Sequence, residues 1–471
     1  MQLQGEGMER TEGLFLSEDD MALATDLYEL TMAAAYFKSR QMDRIGVFEA
    51  FVRKLPKNRS YMVAAGLEQV LHYLLSIRFT EKQIKYLKSN EVFRNVDEDF
   101  FEYLRNFKFT GDVWAVPEGT ILFPNEPIIR VEAPIIESQI VETFLLSTIN
   151  FESLIATKAS RIISAAKGRK IIEFGFRRAH GPQAALLAAR ASYIGGCIGT
   201  SNTLAGYKLG IPAFGTMAHS FVMNFESELD AFREFYKVFP NGLLLVDTYD
   251  TLAAVNKIIE SDIQPGGIRL DSGDLYELSV KSRKILNKAG YNKAIIMASG
   301  DLNEYTINDL VRRNAPIDLF GVGTELTTSR DDPAMNGVYK LVAIRLPPSE
   351  KGGEPSRILY KLKTSPGKKT YAGPKQIHRI MRDDGRMIIN DLIALEGESA
   401  PSDRSISLMQ KYMDQGKMLG NLPSLSEIQR YHQDQLKILP VEFKLLDTVP
   451  ERFPVMFSKK LEDITRGFKI K

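Results

Sequence analysis

His219 is the residue whose type and position point most directly to chemistry. It closes the segment Pro212-Ala213-Phe214-Gly215-Thr216-Met217-Ala218-His219, after a short apolar run and at the start of a predicted helix. A histidine between a strand end and a helix N-terminus can meet an anion or carry a phosphoryl group. The alternative interpretation is a helix-capping or core histidine. The elements around it decide between the two.

Short apolar runs alternate with helical stretches from about residue 170 onward. Eight runs are predicted to be strands: residues 170–174, 193–197, 212–216, 243–247, 267–271, 294–298, 317–321 and 338–342. This alternation is typical of a parallel sheet covered on both faces, and a number near eight favours a closed barrel. We therefore predict an α/β protein with an irregular βα barrel. It is irregular because residues 326–337 are too short and polar for a full helix before the last strand.

In βα barrels the active site lies at the C-terminal ends of the strands. Those positions here carry groups that bind anions, sugars and cations: Phe174, Arg177, Thr216, His219, Arg269, Asp271, Asp274, Gly300, Asp301, Gly323 and Thr324. Arginine grips phosphate or carboxylate, glycine and threonine at helix starts admit phosphate oxygens, and aspartates suit ribose hydroxyls or Mg²⁺. Each motif alone has a structural explanation, such as a turn with an N-cap. Together they favour a phosphoribosyl ligand with a compact anionic or aromatic part.

The length of 471 residues predicts more than one domain. We expect an N-terminal α+β domain over residues 18–135, the βα-barrel catalytic domain over 136–346, and a small C-terminal region over 358–471. The C-terminal region is expected to pack on the N-terminal domain or on the barrel. A linker rich in proline and glycine is predicted over residues 347–355. Within these parts we predict a strand over 46–55, a meander over 111–133, and helices over 63–76, 81–88, 136–149, 152–167 and 426–436.

Several classes of protein are excluded by composition. The formal net charge of +2 and the lack of a dense basic block argue against nucleic-acid binding. No apolar run approaches the roughly 20 residues of a membrane helix. Cys197 is the only cysteine and no signal peptide is evident, so a cytoplasmic location is expected. The histidines lack zinc-type spacing, so no protein-only metal site is expected. Walker A, G-x-S-x-G and kinase signatures are missing from the sequence.

The motifs in their order resemble a known family. They are Thr25-Asp26-Leu27-Tyr28, Glu173-Phe174-Gly175-Phe176-Arg177-Arg178, Gly215-Thr216-Met217-Ala218-His219, Gly267-Ile268-Arg269-Leu270-Asp271-Ser272-Gly273-Asp274, Gly321-Val322-Gly323-Thr324 and Gly337-Val338-Tyr339-Lys340. This set resembles nicotinate phosphoribosyltransferase, of the type II phosphoribosyltransferase group, over about residues 18 to 400.

The resemblance implies that nicotinate and 5-phosphoribosyl 1-diphosphate form nicotinate mononucleotide and diphosphate, as the entry to NAD salvage. It also implies that ATP is a co-substrate that phosphorylates His219, that Mg²⁺ enters with the diphosphate near Asp271 and Asp274, and that no organic prosthetic group is used. A homodimer with a shared active site is implied, in which the other subunit supplies Tyr28.

Roles follow for the remaining site residues. Nicotinate is expected to meet Tyr28, Phe174, Arg177, Thr216 and Arg269. The phosphoribosyl diphosphate is expected to meet Arg177, Asp271, Asp274, Gly300, Asp301, Gly323 and Thr324. His219, Arg269 and Asp271 are the expected catalytic residues.

Four alternatives stay open. A nicotinamide-using transferase would carry an aspartate at about Ser201 or Asn202, which this chain lacks. A quinolinate transferase would call for a denser basic pocket and a shorter chain. A non-catalytic sensor of phosphoribosyl ligands would not need His219. An aldolase-type barrel would need a lysine at a strand end, for which Lys340 is the candidate.

Overall fold

The computed structural model describes residue 14 and residues 16–347, 357–363, 370–446 and 452–467. The described chain contains a large antiparallel sheet, a parallel sheet flanked by helices, and a smaller C-terminal sheet. Two large apolar clusters fill it, one around the parallel sheet and one beside the antiparallel sheet. The predicted linker lies outside the described residues except for Pro347.

The antiparallel sheet has seven strands in the order β13-β12-β1-β5-β3-β17-β18. These strands are β1 Ile45–Val52, β3 Asp112–Ala115, β5 Pro127–Pro134, β12 Gly337–Leu346, β13 Arg357–Tyr360, β17 Gln410–Asp414 and β18 Lys417–Met418, while β2 Met62–Val63 and β4 Ile121–Leu122 form a separate pair. The N-terminal helices are α1 Leu27–Lys38, α2 Leu67–Ser76, α3 Glu81–Ser89 and α4 Glu98–Arg105. The α+β character predicted for this part is confirmed.

The two helices predicted over 136–149 and 152–167 are divided differently in the structure. A short α5 (Ile135–Ile140) is followed by one long α6 (Glu142–Ala166). Residues 149–152 contain neither glycine nor proline, so nothing interrupts the helix there. It ends where Lys167 (φ 46°) and Gly168 (φ 90°) adopt left-handed backbone, as expected for a C-terminal glycine.

The parallel sheet has six strands in the order β7-β6-β11-β10-β9-β8. They are β6 Lys170–Glu173, β7 Gly199–Thr200, β8 Leu243–Leu245, β9 Gly267–Leu270, β10 Ile295–Ala298 and β11 Leu319–Val322. The helices between and beside them are α7 Pro182–Ile194, α8 Thr203–Leu209, α9 His219–Met223, α10 Glu228–Val238, α11 Thr251–Ile259, α12 Leu275–Lys288, α13 Glu304–Arg312 and α14 Thr324–Thr327. An irregular βα barrel in an α/β fold is therefore present.

Three of the eight predicted strands are wrong or incomplete. Residues 193–197 form the end of α7 and a turn at Gly195-Gly196, and the strand begins only at Gly199. Residues 212–216 are extended but make a single bridge, between Ala213 and Thr200. The run 338–342 lies in β12, which pairs antiparallel with β1 of the other sheet. The preceding α14 is only four residues long, too short to bring the chain back as a parallel neighbour.

The C-terminal region adds a four-stranded sheet and a helix that reach both other parts. The sheet consists of β14 Lys375–Met381, β15 Ile388–Leu395, β16 Ser405–Ser407 and β19 Val455–Phe457, and the helices are α15 Leu425–Ile438 and α16 Lys459–Arg466. The helix predicted over 426–436 is confirmed as α15. Its Gln429 amide donates to the carbonyl oxygens of Tyr193 and Cys197 at 2.6 and 2.9 Å. Its buried His432 lies between the carbonyl of Gly119 and the hydroxyl of Ser160.

Candidate active site

The C-terminal ends of the parallel strands surround two adjoining cavities of about 290 and 280 Å³. Both are lined by Phe174, Arg177, Arg269 and Asp271. The first is also lined by Arg178, Ser299, Gly300, Asp301, Gly321, Gly323 and Thr324, and the second by Ser201, Gly215, Thr216, Met217, Ala218, His219 and Leu245. The structure thus brings residues from six separate loops to one place, as the barrel prediction requires.

Arg269, near the end of β9, is the most connected side chain between the cavities. Its Nε donates to Ser299 Oγ at 2.8 Å and its Nη2 to Asp271 Oδ1 at 2.7 Å. Its Nη1 donates to Thr216 Oγ1 at 3.0 Å and to the Met217 carbonyl at 3.3 Å. The guanidinium also lies 5.7 Å from the centre of the Phe174 ring. A cation held this firmly beside an aromatic ring is suited to an anionic, aromatic ligand.

His219 begins the short helix α9, and its side chain is 40% exposed. Its Nδ1 lies 3.1 Å from the hydroxyl of Thr248, in the loop after β8. Its Nε2 lies 3.6 Å from Asp271 Oδ2. Holding one ring nitrogen fixes the orientation and tautomer of an imidazole. In the tautomer that donates to Thr248, Nε2 carries the lone pair and lies on the side of the ring that faces Asp271.

Asp271 lines both cavities, and its neighbours lower the pKa of its carboxyl. Burial alone would raise the pKa of its carboxyl, but hydrogen bonds from Ser299 and Arg269 together with the Arg269 charge hold it below its ordinary value. Its backbone N–H donates to Asp247 Oδ2 at 2.9 Å. The other oxygen of Asp247, Oδ1, is buried and has no hydrogen-bond partner among the described residues. Carboxylate oxygens are thus available beside Asp271.

The first cavity is shaped for close approach of a ligand to the backbone. Gly300 has φ 109°, and a Cβ on it would lie 2.5 Å from the carbonyl oxygen of Asp271. Only glycine fits this turn. The cavity continues into an open groove of about 680 Å³, which shares Asp271, Ser299 and Asp301 and includes Asp274. Asp274 also caps α12 by accepting from the Glu277 N–H at 3.0 Å, so its turn-and-cap interpretation holds as well.

Tyr28 is a predicted nicotinate contact that does not lie at the two cavities in the single chain. It lies in the first turn of α1, is 47% exposed, and is not among the described residues that line the two cavities. Sequence reasoning gave no role to Ser299, Thr248 or Asp247, and considered Ser201 only as the position where a nicotinamide-using transferase would carry an aspartate. All four lie within three residues of the C-terminal end of a barrel strand, and that position was the available signal.

Comparison with known proteins places the chain in a family. Residues 23–150 match the nicotinate phosphoribosyltransferase N-terminal domain, 169–347 the nicotinate phosphoribosyltransferase family proper, and 404–465 the C-terminal domain. The chain belongs to the nicotinate phosphoribosyltransferase family. A nicotinate phosphoribosyltransferase of Mycobacterium tuberculosis is 43% identical over 93% of this chain and 92% of its own. One from Bacillus subtilis is 39% identical over 94% of both chains.

Solved structures agree with the fold of this family member. Human nicotinic acid phosphoribosyltransferase superposes with a TM-score of 0.80 at 27% identity, covering 94% of this chain and all of the human chain. Nicotinate-nucleotide pyrophosphorylase from Pyrococcus furiosus gives 0.71 at 25% identity, covering 92% and 98%. The predicted type II phosphoribosyltransferase-like fold is confirmed.

Two properties of the described residues bear on metal binding and membrane insertion. Within them, no group of three or more His, Cys, Asp or Glu side chains is arranged to hold a metal ion. Nor is any helix among them both long and apolar enough to span a bilayer.

Proposed function

We propose that this family member transfers the phosphoribosyl group of 5-phosphoribosyl 1-diphosphate to nicotinate, forming nicotinate mononucleotide and diphosphate. The observation that carries the proposal is the position of Arg269, held between Thr216 and Asp271 and beside the Phe174 ring. A guanidinium and a ring side by side match the carboxylate and the pyridine of nicotinate. In NAD metabolism this reaction is the entry step of salvage from nicotinate.

The lining of the second cavity favours nicotinate over nicotinamide. A carboxamide NH₂ needs a free acceptor, and the acidic side chain among the described lining residues, Asp271, is already paired with Arg269. Ser201 lines this cavity, whereas Asn202 is buried and caps α8 by accepting from the Leu204 and Ala205 N–H groups. Neither position offers the carboxylate of a nicotinamide site.

The proposed reaction depends on how the substrates are oriented and not on proton transfer by the protein. The pyridine nitrogen of nicotinate is already a neutral nucleophile, so no general base is required. The protein has to align the ring, stabilise an oxocarbenium-like ribose and hold the diphosphate leaving group. Arg177, Gly300, Asp301, Gly323 and Thr324 line the cavity proposed for the phosphoribosyl diphosphate, with Asp274 in the adjoining groove.

Mg²⁺ is proposed to enter with the diphosphate. Asp271 and Asp274 offer the hard oxygen ligands that this ion prefers, and the diphosphate would supply the others. When bound, it would neutralise charge on the leaving group.

ATP is proposed to phosphorylate His219. The Nε2 lone pair displaces ADP from the γ-phosphorus, so a phosphorus–nitrogen bond forms as the bond to the β,γ-bridging oxygen breaks. Water later cleaves the phosphorus–nitrogen bond and releases phosphate. The imidazole adjoins Asp271, so the negative charge of a phosphate on His219 would lie close to the proposed diphosphate site.

The proposed reaction is tested by incubating the protein with nicotinate or nicotinamide, phosphoribosyl diphosphate and Mg²⁺, with and without ATP, and identifying the mononucleotide formed. We expect nicotinate mononucleotide, formed faster with ATP. A protein that makes no product from nicotinate overturns the proposal, and one that prefers nicotinamide moves it to the other pyridine.

Replacing His219 with alanine tests the phosphoryl step. We expect His219→Ala to abolish stimulation by ATP and labelling of the chain by [γ-³²P]ATP, while slow ATP-independent transfer persists. His72→Ala is the matched control, because His72 is an exposed histidine on α2, far along the chain from the cavities. Undiminished ATP stimulation in His219→Ala would show that this residue does not carry the phosphoryl group.

A further inference from the structure

We infer that Lys158, a buried residue of α6 outside the cavities, is the positioning residue for the phosphoribosyl diphosphate side of the site. It holds together the loop after β10 and the loop after β11, which supply Gly300, Asp301, Gly323 and Thr324. The inference rests on the proposed function for the identity of the ligand, but the geometry that carries it does not.

The side chain of Lys158 is only 1% exposed, and its ammonium bonds the carboxylates of Glu304, which begins α13, and of Asp331, which follows α14. It lies 2.5 Å from Glu304 Oε2 and 2.9 Å from Asp331 Oδ1. Glu304 is the first residue of α13, three positions after Asp301. Asp331 lies seven positions after Thr324. One buried cation therefore ties two loops that meet at one cavity.

The path from Glu304 back to the cavity is short and internally bonded. Asn303 caps α13, because its Oδ1 accepts from the N–H groups of Tyr305 and Thr306. The Leu302 N–H donates to the Gly300 carbonyl at 2.8 Å. A shift of Glu304 would consequently move Gly300 and Asp301 with it.

The path from Asp331 back to Thr324 is equally tight. The Thr328 hydroxyl donates to the Thr324 carbonyl at 2.7 Å, and the Ser329 hydroxyl donates to the Asp332 carbonyl at 3.0 Å. Ser329 is fully buried with φ 43°, a left-handed conformation that its surroundings must maintain. The segment 324–332 therefore has little freedom as long as Asp331 stays in place.

Two arginines also contact Glu304 or Asp331, but neither hydrogen-bonds both carboxylates as the lysine does. Arg59 donates to Asp331 at 2.8 and 2.9 Å, yet reaches Glu304 only at 3.8 Å. Arg161 donates to Glu304 at 3.2 Å. Lys158 is thus the side chain of the three that hydrogen-bonds both carboxylates. Without its charge, the buried carboxylate of Glu304 and the partly exposed carboxylate of Asp331 face each other with less compensation, which favours separation of the loops.

The test is Lys158→Met, which keeps the length of the side chain and removes the charge. We expect the KM for phosphoribosyl diphosphate to rise about tenfold or more, while the KM for nicotinate stays unchanged. Lys375→Met is the matched control, because Lys375 of β14 is also buried and bonds Glu49 of β1 at 2.7 Å. The control should lose thermal stability without any change in either KM.

Equal changes in both KM values, or the same KM change in Lys375→Met, would show that Lys158 contributes only to general stability. If Lys158→Met does not fold, Glu304→Gln and Asp331→Asn test the same bridge from each loop. Each should raise the KM for phosphoribosyl diphosphate, and the double variant should show less than the sum of the two effects, because both act through Lys158. Additive effects would contradict a shared anchor.

Failure of the proposed function can be told apart from failure of this inference. Titration calorimetry with inorganic diphosphate and Mg²⁺ measures the anion site without any turnover. If the parent makes no nicotinate mononucleotide but binds diphosphate, weaker binding by Lys158→Met still supports the inference. Unchanged diphosphate binding by Lys158→Met overturns it.

Discussion

Arg269 uses all three guanidinium nitrogens on protein partners, so its position depends on shape as much as on charge. The nitrogens serve Ser299, Thr216 and Asp271 at 2.8, 3.0 and 2.7 Å. A lysine keeps the charge but presents one compact ammonium on a flexible stem. The geometry proposed to receive nicotinate should therefore be lost even when the charge is retained.

We expect Arg269→Lys to lower kcat/KM for nicotinate by about a hundredfold, since two charge-assisted hydrogen bonds lost at roughly 1.5 kcal/mol each correspond to that factor. Steady-state kinetics with varied nicotinate measure it. Arg345→Lys is the control, because Arg345 of β12 also joins two carboxylates, Glu132 of β5 and Glu396 just after β15. A near-parental kcat/KM in Arg269→Lys would remove Arg269 from the nicotinate site.

At this scale the sequence predicted residue types better than partnerships. Arg269, Asp271 and His219 could be predicted as neighbours because Arg269 and Asp271 lie at the C-terminal end of β9, and His219 follows the extended segment 212–216 at the same end of the barrel. That Thr248 holds the His219 ring could not be predicted, because it depends on how two loops fold back across the strand ends. The same holds for Lys158, whose partners are 146 and 173 residues away along the chain.

At the scale of elements, short apolar runs identified most of the parallel strands, because strands buried on both faces are apolar throughout. The run 338–342 shows the limit of this signal. Its residues have strand propensity that fits either the parallel or the antiparallel sheet. It pairs with β1 because that is the strand edge the chain can reach after the short α14. The continuity of α6 was missed because the two predicted helices were bounded by pattern and not by a breaking residue.

The joint between α1 and α6 gives a prediction about pH. Glu29 of α1 is fully buried and accepts from the Thr143 N–H and hydroxyl of α6. Burial and the nearby charges of Glu142 and Asp26 raise its pKa to about 8 against the Thr143 hydrogen bonds. The folded state therefore holds the proton more tightly than the unfolded state. The stabilisation is complete below the ordinary value of 4.5 and is lost as the pH rises toward 8.

We expect Glu29→Gln to remove this titration, because glutamine resembles the protonated carboxyl at every pH. Thermal unfolding of parent and variant should give similar Tm values near pH 5. As the pH approaches 8, the Tm of the variant should rise steadily relative to the Tm of the parent. A Tm difference that does not vary with pH would mean that Glu29 does not titrate in this range.

At the scale of the whole molecule, one predicted contact is missing from the single chain. The cavities collect the predicted ligands of the barrel, while Tyr28 stays exposed on α1. A symmetric dimer would resolve this, since two-fold symmetry places the same surface of each subunit against the other twice. We accordingly propose a homodimer in which each cavity receives the partner subunit's Tyr28. Nothing in the pattern of one chain could show how a second copy docks.

A shared site makes a prediction that an unshared site does not. Arg269→Lys damages a subunit's own cavity, whereas Tyr28→Ala would damage only the cavity of its partner. In a mixed dimer, one cavity carries both defects and the other carries neither. Random re-association of equal amounts leaves half of the dimers mixed, with one intact cavity in each, so about a quarter of the parental activity should return.

Co-expression of the two variants with different affinity tags, followed by tandem purification, isolates the mixed dimer. One of its two cavities is intact, so about half of the parental activity is expected in the purified mixed dimer. Pairing Arg269→Lys with His219→Ala is the control, because both defects then lie in the barrel cavities and neither cavity is intact. Recovery in the first pair and none in the second requires a tyrosine that crosses between subunits. If the mixed dimer of the first pair is no more active than the two single-variant dimers, Tyr28 acts within its own chain or not at all. Its exposure on α1 then needs a different explanation.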